Sequence, residues 1–506
     1  MTSLNRSYLK TQNKLASTVS RGPSRKFPER IVQFGEGNFL RAFTDWMIDE
    51  VNAQKLFQSH VLVVQPIRQG QAALLNAQDG VYTVLMRGVE KGKVVESRRI
   101  VTSIRRALNP YDQWSELVGA FRGPDLRFVI SNTTEAGIAY VAEPLKPGVC
   151  PESFPAKVAS LLHERFQKVK GHPAFGLVFL PCELIDRNGD NLKKAVLQQA
   201  EAWGLSADFV AWVNTANYFL NTLVDRIVPG YPKAEVEKLT EELGYEDKLI
   251  VASEYFHLWV IEGPKQLAEE LPLHKAGLNV IWTDDMAPYR TRKVRVLNGA
   301  HTSSVLAAYA AGIDTVRDLV EDQVFGPFLR QVLFDEILPG LALPLEEKTA
   351  YAESVMERFR NPFVRHELLS ISLNSVSKWK VRVLPSLLDY QQAHGTVPRG
   401  LAFSLAALIA FYDGEPVSAG ELRGLRAGQP YPIRDDAPVL AFFASTWATV
   451  KQTRDWRELA TAVLGRKDFW GQDLNDVPGL TDAVWSALER IAKQGMRSAV
   501  TDLLGK

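Results

Sequence analysis

Ile31-Val32-Gln33-Phe34-Gly35-Glu36-Gly37-Asn38-Phe39-Leu40-Arg41 is the stretch on which the fold turns. Residues 31–34 read as a short, mostly apolar strand, the two glycines permit a tight turn, and Phe39 onward reads as helix. Strand, glycine turn and helix in that order are what dinucleotide binding requires. Glycine lets the backbone approach a pyrophosphate, whose charge then sits against a helix N-terminus. On this reading Phe34, Gly35, Glu36, Gly37, Asn38 and Phe39 line the cofactor, and Arg41 offers a cation for phosphate. The third glycine of the full fingerprint falls at Leu40. A lone Gly-x-Gly is also an ordinary turn, so the surrounding pattern must carry the reading.

Outward from this stretch, short β-branched runs at residues 61–66, 81–86, 94–103, 127–131 and 176–181 alternate with helical segments such as 39–52 and 112–121. Most of these runs lack a polar face, as strands covered on both sides should. The alternation predicts an α/β fold, a Rossmann-type domain with a largely parallel sheet. After about residue 283 the texture changes. Residues 293–311, 316–324, 327–337, 347–359 and 401–412 carry apolar positions at helical spacing and few strand-like runs. The expected organisation is a dinucleotide-binding domain over residues 28–285 and a mostly α-helical substrate and catalytic domain over 286–506, after a polar lead-in at 1–27.

Composition narrows the function. Among 506 residues, 59 Lys and Arg nearly cancel 58 Asp and Glu, so no global field attracts nucleic acid or an anionic membrane. The expected partner is a small molecule, and the sequence carries no signal of oligomeric state. Two cysteines, Cys150 and Cys182, are too few for a disulfide framework or a structural zinc site, which fits a reducing, cytoplasmic setting. No apolar run approaches the roughly 18 residues of a membrane span.

The end of the second strand, Gln65-Pro66-Ile67-Arg68-Gln69, lacks the acid that usually holds the ribose hydroxyls of NAD. NAD is the expected cofactor. Arg68 leaves NADP open, because an arginine there can take its extra phosphate.

Lys293, Asn298 and His301 are polar residues set among Val294, Val296, Leu297 and Ala300. On a regular helix of about 100° per residue, His301 lies about 80° from Lys293, and Asn298 about 140° from Lys293 and 60° from His301. An alcohol–ketone couple needs a base for the hydroxyl proton and donors for the oxygen as charge develops. Lysine serves as that base once burial or a neighbouring cation lowers its pKa. Each residue alone has an ordinary structural explanation; the three together on an apolar helix point to a catalytic site.

These features resemble the polyol-specific long-chain dehydrogenases, the mannitol dehydrogenase family, marked by K-x4-N-x2-H. Lys293, Asn298 and His301 match that mark, and Gly35 to Phe39 with Arg41, Thr134-Glu135-Ala136-Gly137 and Val224-Asp225-Arg226-Ile227-Val228-Pro229 extend the likeness along nearly the whole chain. The resemblance implies hydride transfer without a zinc or other metal, with Lys293 as general acid and base, Asn298 and His301 on the reacting oxygen, and Thr134 and Glu135 beside the cofactor. Glu135 is also a candidate to relay protons or hold Lys293. Asp225 and Arg226 are expected to brace the junction between domains.

Mannitol dehydrogenases carry a further oxyanion asparagine after a Cys-Asp pair. Here Cys182-Glu183-Leu184 stands in its place, which counts against a polyol substrate and leaves nearby Asn188 as a candidate substitute. Residues 181–186 and 358–363 resemble the hexuronate-reducing branch of the family. A sugar acid requires a fixed cation, and Arg358, Arg360, Lys378, Lys380 and Arg382 form a basic group from which Arg358 and Lys378 are the chosen substrate-binding residues. The alternatives are another hexuronate, a neutral polyol such as mannitol, or a catalytically silent sugar-acid-binding protein.

Overall fold

The computed structural model describes residues 2–11 and 18–505; of the polar lead-in, residues 1 and 12–17 lie outside them. The described part of the lead-in is not featureless: it contains a helix, Arg6–Thr11, and a strand, Val19–Arg21. The chain divides into two compact units between Met286 and Ala287, with residues 89–93 grouped with the second.

The first unit is built on six parallel strands: β1 (Glu29–Phe34), β2 (His60–Val64), β3 (Ile104–Leu108), β4 (Phe128–Ser131), β5 (Val178–Pro181) and β6 (Tyr218–Phe219), in the order β3-β2-β1-β4-β5-β6. This is the doubly wound order of a dinucleotide-binding fold, with its reversal between β1 and β4. Alternate residues feed two cores. Ile31, Val61, Val63, Phe128 and Ile130 pack on one face, while Val32, Phe34, Leu62, Val64 and Val129 pack on the other. Burial of both faces explains why these strands read as continuous apolar runs.

Two of the predicted strands belong elsewhere. Residues 81–86 and 94–103 fall largely in Tyr82–Glu90 and Lys93–Val101, neighbours in a separate sheet of four strands with Val19–Arg21 and Val251–Glu254. The connection Lys91-Gly92 is far too short for the crossover that parallel neighbours need, so it makes a hairpin. The predicted run 94–103 also crosses a break at Thr102 and Ser103. There the amide and hydroxyl of Thr102 donate to the buried Asp49 carboxylate, and the Ser103 hydroxyl donates to the Asp45 carbonyl, before β3 begins. A further sheet, Asn221–Asp225, Leu258–Glu262 and Val280–Thr283, has no counterpart in the expected strands.

Past β1 the helix is interrupted, as α1 (Asn38–Arg41) and α2 (Thr44–Ala53). Arg226, expected to brace the domain junction, is instead buried inside the first unit. Its guanidinium donates to the Ala42 carbonyl at this interruption and to the Glu254 carbonyl, and it lies over the Trp46 ring. The second unit is mostly helical. It includes α3 (Gly299–Ala310), α4 (Leu345–Phe359), α5 (Ser375–Arg382) and α6 (Arg399–Phe411), together with an antiparallel sheet, Gly414–Ser418, Glu421–Arg426 and Gln429–Ile433, absent from the sequence expectation. No described helix is long and apolar enough to cross a membrane, and both cysteines are free and buried.

Gly35 holds β1 against β4. Its φ is 122°, its amide donates to the Val64 carbonyl, and an added Cβ would stand 3.0 Å from the Asn132 carbonyl oxygen. Gly35→Ala therefore combines a disfavoured φ with crowding against fixed backbone. It is expected to destabilise the protein by about 2 kcal/mol and weaken binding of a dinucleotide at this turn, readable by denaturant unfolding and nucleotide fluorescence titration.

Candidate active site

The sheet's reversal brings together two segments distant in sequence. Gly35 to Asn38 leave the end of β1, Asn132 to Glu135 leave the end of β4, and the Asn132 amide donates to the Phe34 carbonyl. Ligands of doubly wound sheets lie outside this edge. Gly37 caps α1 and is exposed, and a Cβ built on it would meet no atom within 4 Å, so the backbone there is open to close approach by a phosphate. The donor set fits a dinucleotide. Gln33, buried within β1, braces the turn by donating to the Gly35 carbonyl and to Asp45 while accepting from Thr44.

Several sequence-predicted residues serve this architecture rather than a ligand. Phe34 is fully buried, packed on Phe154 and Phe121, so only its backbone reaches the loop. Arg41 is not a free phosphate ligand. It is 2% exposed and donates to the carbonyls of Glu36 and Leu249 and to Asn38 Oδ1. Burial lowers its pKa, and the guanidinium, above the Tyr82 ring, locks the turn. Glu36 accepts from the Gln71 amide and packs on Gly70; burial, the largest influence, raises its carboxyl above the usual value. Asn38 lies against Gly230, and Phe39 stacks on Phe43 at 5.0 Å.

Arg68 is exposed, ion-paired with Glu152 and stacked 4.3 Å from the Tyr111 ring centroid. Thr134 and Glu135 occupy an exposed turn in which Thr134 Oγ1 accepts from the Gly137 amide. Glu183 is buried and holds that loop by accepting from Ser131 and Thr133, while Leu184 is 65% exposed.

Asn188 is the clearest correction. It is fully buried, its Nδ2 donates to the carbonyls of Pro181, Glu183 and Thr222, and its Oδ1 accepts from the amides of Gly189 and Thr222. With every polar atom engaged by backbone, it staples β5 to the strand Asn221–Asp225 and has nothing left for a substrate.

In the second unit, the expected straight helix 293–311 is a six-residue π turn, Lys293–Asn298, running into α3. The Gly299 amide accordingly donates to the Val294 carbonyl, five residues back. In an i→i+5 turn each residue turns through less than the roughly 100° of an α-helix, so residues five apart come nearer to one face than on a regular helix. Lys293 and Asn298 therefore stand less far apart than the about 140° of a regular helix, and His301 follows one α-helical turn later. Two arginines pin the turn, Arg292 to Glu347 on α4 at 2.8 Å and Arg295 to Asp389. Neither role is visible in the sequence. Gly299 admits α5: a Cβ there would stand 3.1 Å from the Arg382 carbonyl oxygen.

His301 stacks on Phe359 at 4.2 Å and meets His366 edge-on at 5.1 Å; its Nε2 is buried and hydrogen-bonded to no protein atom. Burial, then His366, Arg358, Arg382 and Lys378, drive its pKa well below the usual value, so the ring is neutral at neutral pH. A neutral imidazole can donate one hydrogen bond without competing for the proton a lysine carries. The basic group is thus sorted by the fold. Arg358, Lys378 and Arg382 surround His301, whereas Lys380 approaches Gly471 and Arg360 lines a separate cavity with Arg330 and Phe334. Arg382 and His366 were not among the chosen substrate residues. Only the four-residue spacing of Lys378 and Arg382 could have placed that pair on one helix face. No group of three or more potential metal ligands occurs among the described residues.

A Rossmann-type unit is thus followed by a helical unit that carries the lysine-bearing turn. Comparison with known proteins supplies the family. The profile of the mannitol dehydrogenase Rossmann domain matches residues 29–275, and that of the mannitol dehydrogenase C-terminal domain matches residues 285–492. The chain is 48% identical over 480 residues to a protein named altronate oxidoreductase from Pectobacterium carotovorum subsp. carotovorum (strain PC1), covering 94% of this chain and 97% of that one. It is 47% identical over 486 residues to the protein of the same name from Escherichia coli O6:K15:H31, covering 95% and 98%. The fold is shared with a substrate-free D-sorbitol dehydrogenase (TM-score 0.78, 22% identity, 98% of this chain and 100% of that one). It is also shared with Pseudomonas fluorescens mannitol 2-dehydrogenase in ternary complex with NAD and D-mannitol (TM-score 0.67, 23% identity, all of both chains). The chain belongs to the mannitol dehydrogenase family.

Proposed function

We propose that this protein interconverts D-tagaturonate and D-altronate with NADH and NAD in the cytoplasm, a step of hexuronate breakdown. The observation that carries the reading is the set of cations about His301, which suits a substrate bearing a carboxylate. The near full-length likeness to altronate oxidoreductases supports it. Residues 28–285 hold the nucleotide at Gly35 to Phe39 and beside Thr134 and Glu135; residues 286–506 hold the sugar acid. When bound, the cofactor supplies hydride to the carbonyl carbon. Lys293 gives the developing alkoxide its proton and takes it back in the reverse direction, while Asn298 and the neutral His301 donate hydrogen bonds to that oxygen. Arg358 and Lys378 bind the carboxylate. NAD is favoured over NADP because Glu152 already matches the Arg68 charge.

The test is a panel of tagaturonate, fructuronate and fructose, each with NADH and NADPH, followed by loss of reduced-nucleotide absorbance. The expected ranking puts tagaturonate first, with kcat/KM for NADH at least about tenfold above that for NADPH, a difference of about 1.4 kcal/mol. Activity on fructose alone would refute the uronate reading, and a strong preference for NADPH would overturn the cofactor choice.

A further inference from the structure

We infer that Arg382, one turn beyond Lys378 on α5, is the residue that makes this site select a carboxylated substrate over its neutral ketose counterpart; the inference rests on the preceding functional reading.

Arg382 is held in place twice. Its carbonyl oxygen packs onto Gly299, where only the lack of a Cβ lets α5 come so close to the lysine-bearing turn. Its guanidinium Nη1 reaches the Thr302 hydroxyl at 3.5 Å, and that hydroxyl donates to the Asn298 carbonyl at 2.9 Å. The first contact fixes the backbone and the second the side chain beside the segment that carries Asn298 and His301. Four residues earlier, Lys378 Nζ donates to the Ile371 carbonyl at 2.9 Å, leaving its other two protons for another acceptor. The i,i+4 spacing puts both charges on one side of α5.

The charge balance around this face is incomplete. Both side chains are partly buried, and among the described residues no carboxylate lies within ion-pair distance of either. The acid that acts on Lys378, Asp435, is occupied by the Tyr412 hydroxyl and the Val376 amide. Desolvation lowers the pKa of Arg382 with no anion offsetting it, and after burial the groups that act most on His301 are His366, Arg358, Arg382 and Lys378, all of which disfavour a positive charge there. Buried cations are rarely left unmatched, because removing charge from water is costly unless it is paired. A planar guanidinium beside an ammonium is a bidentate receptor for a carboxylate, and a terminal hydroxymethyl group would leave that charge unmatched. Arg358, the third cation near His301, approaches from a different helix, so Lys378 and Arg382 are the pair that α5 presents together, and Arg382 adds a fork to the carboxylate contacts of Arg358 and Lys378.

The experiment compares wild type, Arg382→Gln and Arg382→Lys on D-tagaturonate and on D-tagatose, its neutral counterpart, with NADH. Arg382→Gln should lower the ratio of kcat/KM values, acid over ketose, about 100-fold, chiefly through KM for the acid. Arg382→Lys, which keeps the charge and loses the fork, should lower it about tenfold. The thermal midpoint and the Kd for NADH should not move. An unchanged ratio, or equal losses on both substrates, would overturn the anchor. If Arg382→Gln does not fold, Arg382→Lys decides on the same ratio. Should wild type reduce no ketohexuronate, the functional reading fails while the anchor is still read from D-altronate binding followed by tryptophan fluorescence. A Kd raised about 100-fold in Arg382→Gln sustains it, and an unaltered Kd or no binding by wild type ends it.

Discussion

Lys293→Ala is expected to lower kcat about 1,000-fold, within the range for loss of a positioned general acid and base, while leaving the Kd for NADH and the thermal midpoint near wild type. The alkoxide formed by hydride arrival is a strong base, and on the proposed mechanism Lys293, on the same π turn as Asn298, is its proton source. Water can replace the proton at a cost in rate. Asn298 and His301 still hold the oxygen in the variant, so the substrate KM should change only a few-fold. Because the deficit is one of proton transfer, small primary amines in the buffer should restore part of the rate, a response that a merely misfolded variant would lack. Steady-state kinetics with and without added methylamine measures both effects. Turnover near the wild-type level in Lys293→Ala would remove the lysine from the mechanism. Wild-type protein that binds sugar acids without turning them over would make this a sensor rather than an enzyme.

The sequence made some of this legible and hid the rest, for physical reasons. β1, β2, β4 and β5 were readable because helices cover both faces and leave no polar alternation. Their apolar runs look the same, however, as those of Tyr82–Glu90 and Lys93–Val101; only the two-residue connection Lys91-Gly92 separates a hairpin from a crossover. Lys293, Asn298 and His301 were visible as residue types, but their geometry was not. A π turn differs from an α turn by one residue in its hydrogen bonds, and no composition signals that. Arg41 was misjudged for a different reason: its partners are carbonyls, one of them at Leu249, and backbone acceptors leave no mark in sequence. The basic group was readable as a cluster, whereas its division into Arg358, Lys378 and Arg382 around His301 and Arg360 and Lys380 elsewhere depends on which helix faces turn inward.

Asn188 tests whether a polar residue near a presumed site binds substrate or only builds the fold. Asn188→Ala removes one side chain and with it a hydrogen bond to each of five backbone groups: the amides of Gly189 and Thr222 and the carbonyls of Pro181, Glu183 and Thr222, of which the Pro181 carbonyl keeps the Thr222 hydroxyl as a donor. The position is fully buried, so water cannot substitute at the surface for what is lost. At about 1 kcal/mol for each of the four groups left without such a replacement, the expected destabilisation is about 4 kcal/mol, at the high end for a single substitution. Asn188→Asp offers no escape, since it keeps the acceptor, loses the donor and brings a carboxylate into the core. Denaturant unfolding followed by tryptophan fluorescence measures the loss, and whatever fraction remains folded should show a wild-type KM for its substrate. The opposite pattern, stability within about 1 kcal/mol of wild type with KM raised tenfold or more, would return Asn188 to the substrate. It would also require the β5 staple to open during turnover. Because Glu183, the near neighbour of Asn188, holds the Ser131–Thr133 segment that leads into Thr134 and Glu135, loss of the staple should also weaken NADH binding. That coupling separates a fold-building residue at the sheet's edge from a ligand, which would change affinity for the sugar acid alone.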